Sequence, residues 1–321
     1  MENNSTLNAK YKEPLLAVKD FSLSFVQYTD GFEESLVDVV KNFELTINAG
    51  EIVAVLGSSG SGKSLFADAI LGILPENAKA KGTMYFENQP LTAERQDLIR
   101  GKEIALIPQS VKALDPLMKA GKQVQNGIRD RKDKKRIQEE VFQKLGLPKG
   151  TANLYPFELS GGMARRVLIA TAMVGEAKLI IADEPTPGLD KANWEETLSH
   201  IKQLADANIG IMFITHDIYA ALEIADKIAV FYAGETIEIA KKEDFSGQGE
   251  NLKHPYTKAL WRALPENDFI PLKGSQPQVD EIITGCIFSP RCPIATDLCR
   301  EKKPESTWVN NTMVRCFYAR N

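Results

Sequence analysis

The sequence predicts an α/β fold in which helices cover a parallel sheet and a phosphate-binding loop lies at one edge of that sheet. The octapeptide GSSGSGKS, residues 57–64, directly follows the apolar run Ile52–Leu56 and precedes a helix-forming stretch. Further along the chain, short apolar runs alternate with helical patterns, which is typical of a parallel, covered sheet. One of these runs, LIIADE, ends in two acidic residues. Such folds bind their ligands at that edge.

The glycine-rich octapeptide is the strongest functional signal. A strand that ends in such a loop and opens a helix directs backbone N–H groups and the positive end of a helix dipole at one point, which suits a polyphosphate. Gly57 and Gly62 allow backbone angles and close approaches that a side chain would block. Lys63 suits the β- and γ-phosphates, and the Ser64 hydroxyl suits Mg²⁺. The predicted ATP-binding residues of this loop are Gly57, Ser58, Ser59, Gly60, Ser61, Gly62, Lys63, Ser64 and Leu65.

Strands and helices are predicted on both sides of the loop. Before it, apolar residues recur with period two, which predicts an antiparallel β subdomain. After it, helical and strand patterns alternate. The predicted elements of this part are strands at 15–25 and 37–47, a helix at 65–74, a strand at 83–86, a helix at 92–100 and a strand at 103–107.

A helical pattern from about 110 to 175 predicts a helical subdomain inserted into the α/β core. It contains the run RDRKDKKRIQEE, whose mixed charges predict a solvated helix face, with binding to anionic lipid head groups as the alternative. The remaining predicted core elements are a strand at 178–182, a helix at 193–207 and strands at 209–214 and 227–231. Beyond about residue 240 the composition becomes richer in Gly, Lys and Pro, which predicts an appended segment.

Two acidic residues end one of the predicted core strands. Asp183 beside the phosphates suits Mg²⁺, because this ion prefers hard oxygen ligands. Glu184 is then placed to orient and deprotonate an attacking water molecule. An acid that caps a helix after a core strand is the structural alternative.

A second glycine-containing turn, LSGGM at 159–163, opens a predicted helix. Ser160 is expected to cap this helix, while Gly161 and Gly162 leave its amides open to an anion. Because the turn, which ends in Met163, contains no lysine, it can donate hydrogen bonds to a phosphate without dominating its binding.

Three further polar residues follow predicted strands. Gln109 follows the run IALIP and brings an amide near the metal, at the junction with the helical subdomain. His216 follows GIMFIT, where an imidazole can hydrogen-bond a γ-phosphate. Asp190 ends the turn PGLD, just past Glu184, where a loop can relay between two copies of the site.

In this order, the motifs resemble those of the nucleotide-binding subunit of an ABC transporter over residues 14–245. The resemblance implies a P-loop NTPase ABC cassette, with a RecA-like parallel sheet core, an antiparallel β subdomain, a helical subdomain at about 110–175 and a C-terminal extension at 246–321. In the terms of that family, the chain carries Walker A at 57–64, the Q-loop at Gln109, the signature at 159–163, Walker B at 179–183, the catalytic Glu184, the D-loop at 188–190 and the switch His216.

The resemblance also implies that a second subunit completes the site. In that family two cassettes bind two ATP molecules head to tail, and each signature turn (Ser160, Gly161, Gly162 and Met163 here) touches the γ-phosphate held by the other subunit. Phe25, with Tyr28 as second choice, is expected to stack on adenine, and a core aromatic is the alternative. The residues implied to carry catalysis are Glu184, His216, Lys63 and Gln109, and those implied to hold Mg²⁺ are Ser64, Gln109 and Asp183.

Two tail segments, HPYTKAL at 254–260 and GCIFSPRCPIATDLC at 285–299, resemble the C-terminal extension of oligopeptide, dipeptide and nickel importer ATPases. Four cysteines in this tail suit a metal better than disulfides if the compartment is reducing. The resemblance implies a 4Fe-4S cluster, while a structural Zn²⁺ or reduced thiols in a packed tail are the alternatives. The residues concerned are Cys286, Cys292, Cys299 and Cys316.

The chain also departs from that branch close to its signature turn. Residues 164–166 read ARR, where the branch commonly has RQR. Phe157 stands where the branch often has histidine. Neither difference removes a catalytic group.

Composition and charge are those of an ordinary globular protein. Hydrophobic residues make up 43% of the chain and charged residues 26%, near the average of soluble domains. A net charge of −4 gives no electrostatic reason to expect nucleic acid as a partner. No apolar run reaches about 18 residues, and the polar start is not a secretory signal. These features predict a cytosolic protein, and the resemblance implies a peripheral position at the cytoplasmic face of a bacterial cell membrane.

The expected function is the ATP-hydrolysing subunit of an ABC importer for peptides, nickel or metal chelates. The resemblance implies a second ATPase subunit, often a related but different chain, two transmembrane permease subunits and an extracytoplasmic solute-binding protein. A soluble ABC ATPase acting as a mechanical clamp in DNA repair or translation is the alternative, which a single cassette without a long heptad run disfavours. A redox or metal sensor with a regulatory cassette is a further alternative.

Overall fold

The computed structural model describes residues 13–28, 34–129, 132–277, 281 and 283–319. The strands are β1 (Leu16–Tyr28), β2 (Glu34–Ile47), β3 (Ile52–Leu56), β4 (Ala78–Phe86), β5 (Gln89–Pro90), β6 (Ile104–Ile107), β7 (Leu179–Asp183), β8 (Gly210–Thr215), β9 (Lys227–Tyr232), β10 (Glu235–Lys241), β11 (Thr307–Val309) and β12 (Thr312–Val314). The helices are α1 (Lys63–Leu71), α2 (Ala93–Ile99), α3 (Ala120–Asn126), α4 (Lys134–Lys144), α5 (Gly161–Met173), α6 (Lys191–Asp206), α7 (Ile218–Ile224), α8 (Pro255–Arg262) and α9 (Asp297–Glu301). Within the described ranges, no helix combines the length and apolarity needed to span a bilayer.

The larger of two sheets positions the predicted site residues. Its strand order is β11-β12-β10-β9-β3-β8-β7-β6. Neighbours from β9 to β6 run parallel, whereas β10, β12 and β11 pair antiparallel. The carboxyl ends of β3, β6, β7 and β8 therefore lie along one edge. The loop at 57–64, Gln109, Glu184 and His216 follow these four ends, as expected for a ligand site of this fold class.

The central strand β3 is packed on both faces. Val53 and Val55 share one core with helix α1 and the antiparallel sheet β2-β1-β4-β5. Ala54 and Leu56 share the other core with helices α5, α6 and α7. This alternation follows from the period of two in a strand. Because both faces are buried, the strand delivers the following loop from a fixed position.

Most of the elements predicted for the cassette are present, but several ends differ. Helix α1 ends at Leu71 rather than at residue 74, because Gly72 adopts a left-handed conformation with φ 66° and its N–H bonds to the Ala69 carbonyl. This is the usual glycine stop of a helix. In the run of mixed charges, helix α4 begins only at Lys134. Strand β4 spans Ala78–Phe86 and is longer than the predicted segment.

The C-terminal segment, which the sequence predicts as an appended segment beyond residue 240, pairs with the main sheet. Strand β12 pairs antiparallel with β10 and places Val314 opposite Glu238. Tyr256 and Phe288 lie in the core that also contains α5 and α6. These partners are distant in sequence, so local patterning does not reveal their pairing. A domain boundary near residue 245 remains a prediction.

Three buried polar residues, Glu238, His254 and Arg315, hold this segment in place, and we call them the tail anchor. Glu238 is fully buried, and its two carboxylate oxygens accept the backbone N–H groups of Lys253 at 2.6 Å and His254 at 2.9 Å. His254 Nδ1 accepts the N–H of Tyr256 at 3.0 Å and thereby caps helix α8. Both oxygens of this buried acid are used by the fold.

Arg315 provides the cation of the tail anchor. Its Nε donates to the Thr236 carbonyl at 3.1 Å, and its Nη2 donates to the Asn42 carbonyl at 2.9 Å and to Glu44 at 2.8 Å. These bonds join the residue after β12 to both sheets. They satisfy a guanidinium that is only 7% exposed.

Candidate nucleotide site

The loop after β3 has two positions that only glycine can occupy. A Cβ on Gly57 would lie 2.7 Å from the Phe231 carbonyl oxygen. Gly62 has φ 97°, and a Cβ there would lie 3.0 Å from the Val40 side chain. Tight packing below the loop and a left-handed angle before α1 therefore require these residues. The sequence-based reason for both glycines is confirmed.

Lys63 begins helix α1 beneath the loop. It is 4% exposed, and its Nζ donates to the carbonyl oxygens of Gly57 at 2.8 Å and Ser58 at 2.7 Å. Burial lowers the pKa of Lys63, while the nearby carboxyl groups of Glu184 and Asp183 act in the opposite direction. The loop thus fixes a buried cation beside its own backbone amides, which suits an anionic ligand.

Asp183, the last residue of β7, keeps unused hydrogen-bonding capacity. Burial raises the pKa of its carboxyl group, and a hydrogen bond from the Ser64 side chain partly offsets this effect. The Oδ1 atom is buried and has no hydrogen-bond partner. A buried oxygen without a partner is costly, and a bound cation would satisfy it. With the Ser64 hydroxyl alongside, these oxygen donors fit Mg²⁺.

Two other predicted site residues, Gln109 and His216, meet at Glu184. The Gln109 Nε2 atom donates to Glu184 Oε2 at 3.4 Å, and His216 Nδ1 lies 3.1 Å from the same oxygen. These residues follow β6, β7 and β8, so adjacent parallel strands bring them together. The sequence predicted that each lies at this edge. It did not indicate that the amide and the imidazole share one carboxylate oxygen.

The backbone of Glu184 is held in an uncommon conformation. Its φ is 43°, in the left-handed region that non-glycine residues rarely adopt. Its N–H donates to the Ile214 carbonyl of β8 at 2.9 Å. Such a conformation costs about 1–3 kcal/mol and is commonly found where function requires it. Here it accompanies the contact of the carboxylate with Gln109 and His216.

The signature turn is open on its outer side. Ser160 Oγ accepts the N–H of Met163 at 3.2 Å and caps helix α5, as predicted. Ser160 and Gly161 are exposed, and nothing lies within 4 Å of a Cβ built on Gly161. Solvent-facing amides at a capped helix start can receive an anion.

An asparagine that sequence reasoning missed connects the signature turn to the D-loop. Asp190 caps helix α6 by accepting from Asn193 N at 3.0 Å and Asn193 Nδ2 at 2.7 Å, and these bonds lower the pKa of Asp190. A Cβ on Gly162 would lie 2.7 Å from Asn193 Oδ1. The two helix starts therefore approach each other closely at Gly162, and a larger residue there would displace the Asn193 side chain.

The proposed adenine side of the site is less distinctive. Phe25 is half-buried in β1, between Val37 and Ala78 on the adjacent strands, and packs partly against the core. The side chain of Tyr28 lies outside the described residues.

The phosphate loop also contacts the C-terminal segment. Ser58 Oγ donates to Gln276 Oε1 of that segment at 2.8 Å. Sequence reasoning gave no signal for this contact.

The four cysteines do not form a metal site as they stand. Burial raises the pKa of Cys286 to about 11, and it also raises the pKa of Cys292 and Cys316. Neighbouring thiols contribute to each of these shifts. In the described part of the chain, no group of three or more His, Cys, Asp or Glu side chains is arranged to hold a metal ion.

Comparison with known proteins agrees with the geometry of the nucleotide site. The ABC transporter family model matches residues 40–187, and the model for the C-terminal region of oligopeptide/dipeptide transporters matches residues 237–299. The oligopeptide transport ATP-binding protein OppD of Haemophilus influenzae is 34% identical, covering 95% of this chain and 97% of that protein. The dipeptide transport ATP-binding protein DppD of the same species is 32% identical and covers 94% of each chain.

A solved structure extends the agreement to three dimensions. The dimeric structure of the ATP-binding cassette MJ0796, in a post-hydrolysis state bound to ADP and Pi, has a TM-score of 0.62 and 26% identity, and the match covers 71% of this chain and 98% of that one. The alternative of a clamp in DNA repair or translation is not favoured. The chain belongs to the ATP-binding subunits of oligopeptide and dipeptide ABC transporters, and it is an importer ATPase.

Proposed function

We propose that this chain hydrolyses MgATP between two cassettes and that the energy drives peptide uptake through a permease. One observation carries the assignment of the site. Gln109 and His216 meet at one oxygen of Glu184, next to Asp183, whose Oδ1 has no partner. This arrangement supports the assignment of Glu184 as a base and of Asp183 as a metal ligand beside the phosphate loop.

The proposed roles follow from these positions. The loop amides and Lys63 hold the β- and γ-phosphates, and Ser64, Asp183 and Gln109 hold Mg²⁺. When bound, the ion neutralises phosphate charge. Glu184 orients a water molecule and accepts its proton as the water attacks the γ-phosphate, so that ADP leaves. His216 orients the carboxylate of Glu184 and contacts the γ-phosphate. Catalysis is then mainly positioning and electrostatics.

A second cassette is proposed because the signature turn is exposed. Ser160 and Gly161 face solvent, and MgATP held by another subunit would be their ligand. Ser160→Arg should reduce hydrolysis by about 100-fold, because the signature turn would no longer receive MgATP held by the other subunit. ATP binding to the single subunit should stay intact, because the signature turn is not part of that subunit's own phosphate loop. Ser199→Arg, on an exposed face of α6, is the matched control. Equal activity of the two variants would contradict the pairing, whether the partner is identical or a related chain.

Peptide is the proposed cargo because the relatives are named oligopeptide and dipeptide transport proteins. The partners would be two permease subunits and an external solute-binding protein, with this chain at the cytoplasmic face of the membrane. Reconstitution of all components into vesicles tests this proposal. Peptide should stimulate ATP hydrolysis and accumulate. Stimulation by nickel or a metal chelate alone would overturn the peptide assignment while leaving the ATPase role intact.

A 4Fe-4S cluster at Cys286, Cys292, Cys299 and Cys316 remains a prediction, and the thiol arrangement does not by itself fit one. Iron and sulfide analysis of anaerobically purified protein tests it. About four iron and four sulfide per chain would support a 4Fe-4S cluster. Stoichiometric zinc would support a zinc site instead. The absence of both metal and sulfide would support reduced thiols in a packed tail.

A further inference from the structure

Arg165 is a buried cation on the signature helix that the site described above does not use. It lies in the first turns of α5 and is 7% exposed. Its Nη1 donates to the Gln109 carbonyl at 2.9 Å and to the Pro108 carbonyl at 3.4 Å. Its Nε is buried without a hydrogen-bond partner. In the described part of the chain, no carboxylate forms an ion pair with it.

The surroundings of Arg165 are energetically unfavourable for a charged side chain. Burial without a counter-ion disfavours a charged group, and it lowers the pKa of Arg165. The next residue behaves differently, because Arg166 pairs with Glu196 at 3.0 Å on helix α6. Arg165 also stands where the resembled branch commonly has glutamine.

The carbonyls that Arg165 holds belong to the loop that reaches the catalytic carboxylate. The Gln109 backbone carbonyl binds the guanidinium, while the Gln109 side-chain amide donates to Glu184 Oε2 at 3.4 Å. One residue is therefore held through its main chain by the signature helix and contacts the catalytic acid through its side chain. A shift of α5 would move the Gln109 carbonyl, and with it the amide.

We propose that Arg165 is a positioning residue for hydrolysis, which fixes the Gln109 loop so that its amide meets Glu184 only when the signature helix is correctly placed. This inference rests on the proposed roles of Gln109 and Glu184. Arg165 acts on the rate through Gln109 and does not contact the nucleotide. It couples the helix that serves one ATP to the carboxylate that cleaves the other.

A double-mutant cycle on the full chain, purified with its partner subunits, tests this coupling. Arg165→Met should lower kcat about tenfold with the KM for ATP unchanged within about twofold, since the phosphate loop is intact. In a Gln109→Ala background, the same change should lower kcat by less than about twofold, because no amide remains to be placed. Arg165→Lys keeps a cation and a donor and should restore most of the rate.

Arg166→Met is the matched control, because it removes a partly buried arginine from the same helix without touching the Gln109 loop. Its effect on kcat should be the same in the parent protein and in the Gln109→Ala background, so that the two changes multiply in the double variant. Thermal unfolding of each variant separates misfolding from loss of rate.

Two results would overturn the inference. If Arg165→Met lowers kcat equally in both backgrounds, its effect does not pass through Gln109, although the proposed site stands. If Gln109→Ala alone leaves kcat unchanged, the assigned role of Gln109 fails and the inference fails with it. Should Arg165→Met not fold, the same cycle with Arg165→Gln decides the matter, because glutamine also removes the cation.

Discussion

The nucleotide site and the tail anchor both bury acids and cations, but they use them differently. Asp183 and Glu238 are both acids whose pKa is raised by burial. Both oxygens of Glu238 accept backbone N–H groups, whereas Asp183 Oδ1 has no partner. The fold uses both oxygens of Glu238, whereas Asp183 keeps one oxygen for a ligand. For these two acids, the remaining hydrogen-bonding capacity, rather than burial or charge, is the difference.

The two cations extend this contrast. Arg315 uses its donors to join strands of both sheets, so its removal should weaken folding. Lys63 donates its hydrogen bonds to nearby parts of its own loop, so its removal should weaken ligand binding. A variant without Arg315 should therefore lose stability but not ligand affinity, and a variant without Lys63 should lose ligand affinity but not stability.

The largest expected effect is on ATP affinity. Lys63→Ala should weaken ATP binding by about 100-fold, because charge-assisted bonds to phosphate are among the strongest in proteins. Arg315→Ala is the matched control, and it should lower the free energy of unfolding without changing the affinity of the folded protein. Equilibrium titration with a fluorescent ATP analogue checks both. Equal ATP affinities for Lys63→Ala and the parent protein would contradict the assignment of Lys63 to ligand binding.

The acids offer a comparison of intermediate size. Glu238→Ala leaves one partly buried and one buried N–H group without acceptors and should lower the free energy of unfolding by about 2 kcal/mol. Asp183→Ala removes a carboxyl group whose charged form is disfavoured by burial, so it should cost less than about 1 kcal/mol in the absence of ligand.

Denaturant unfolding of both acid variants, with and without MgATP, provides the measurement. The parent protein and Glu238→Ala should gain stability from MgATP by mass action, whereas Asp183→Ala should gain little. Equal losses for the two variants without ligand would contradict the distinction between an acid saturated by the fold and one that keeps an oxygen for a ligand.

The smallest effect concerns pH. Burial lowers the pKa of His254 to about 3, far below its value in the unfolded chain, which is about 6.5. The unfolded state therefore binds the proton more tightly, and the stabilisation present above pH 6.5 is lost progressively as the pH falls from about 6.5 towards 3. From pH 6.5 to 5.5 the loss approaches about 1 kcal/mol.

His254→Asn isolates this titration, because asparagine can still cap helix α8 and does not titrate. The difference in free energy of unfolding between the two proteins should shrink or reverse as the pH falls to about 5.5, one unit below the unfolded pKa. Parallel pH profiles would mean that His254 is not the titrating group.

The site could be predicted from the sequence where the signal is local. The loop at 57–64 is bounded by a strand and a helix in the sequence itself, and Ser160 precedes its helix directly. Asp183 and Glu184 end an apolar run. In each of these cases, the residues that define the feature are neighbours in the chain, so their pattern is visible without the fold.

Contacts between distant segments could not be predicted. Strand β12 pairs with β10 although helices α8 and α9 lie between them in the chain, and short strands carry little periodicity. The bond from Arg165 to the Gln109 carbonyl depends on how α5 packs against the end of β6. Its only signal in the sequence was the ARR that replaces RQR, and a substituted residue does not reveal which backbone it meets.

Glu184 is the proposed base of the ATP site, and the groups proposed to bind ATP are other residues. ATP affinity and steady-state turnover measured together on Glu184→Gln test it most directly. The account predicts affinity within about twofold of the parent protein and turnover reduced by at least about 100-fold, because the amide cannot accept the proton of water. Turnover at the parent rate with unchanged affinity would contradict it.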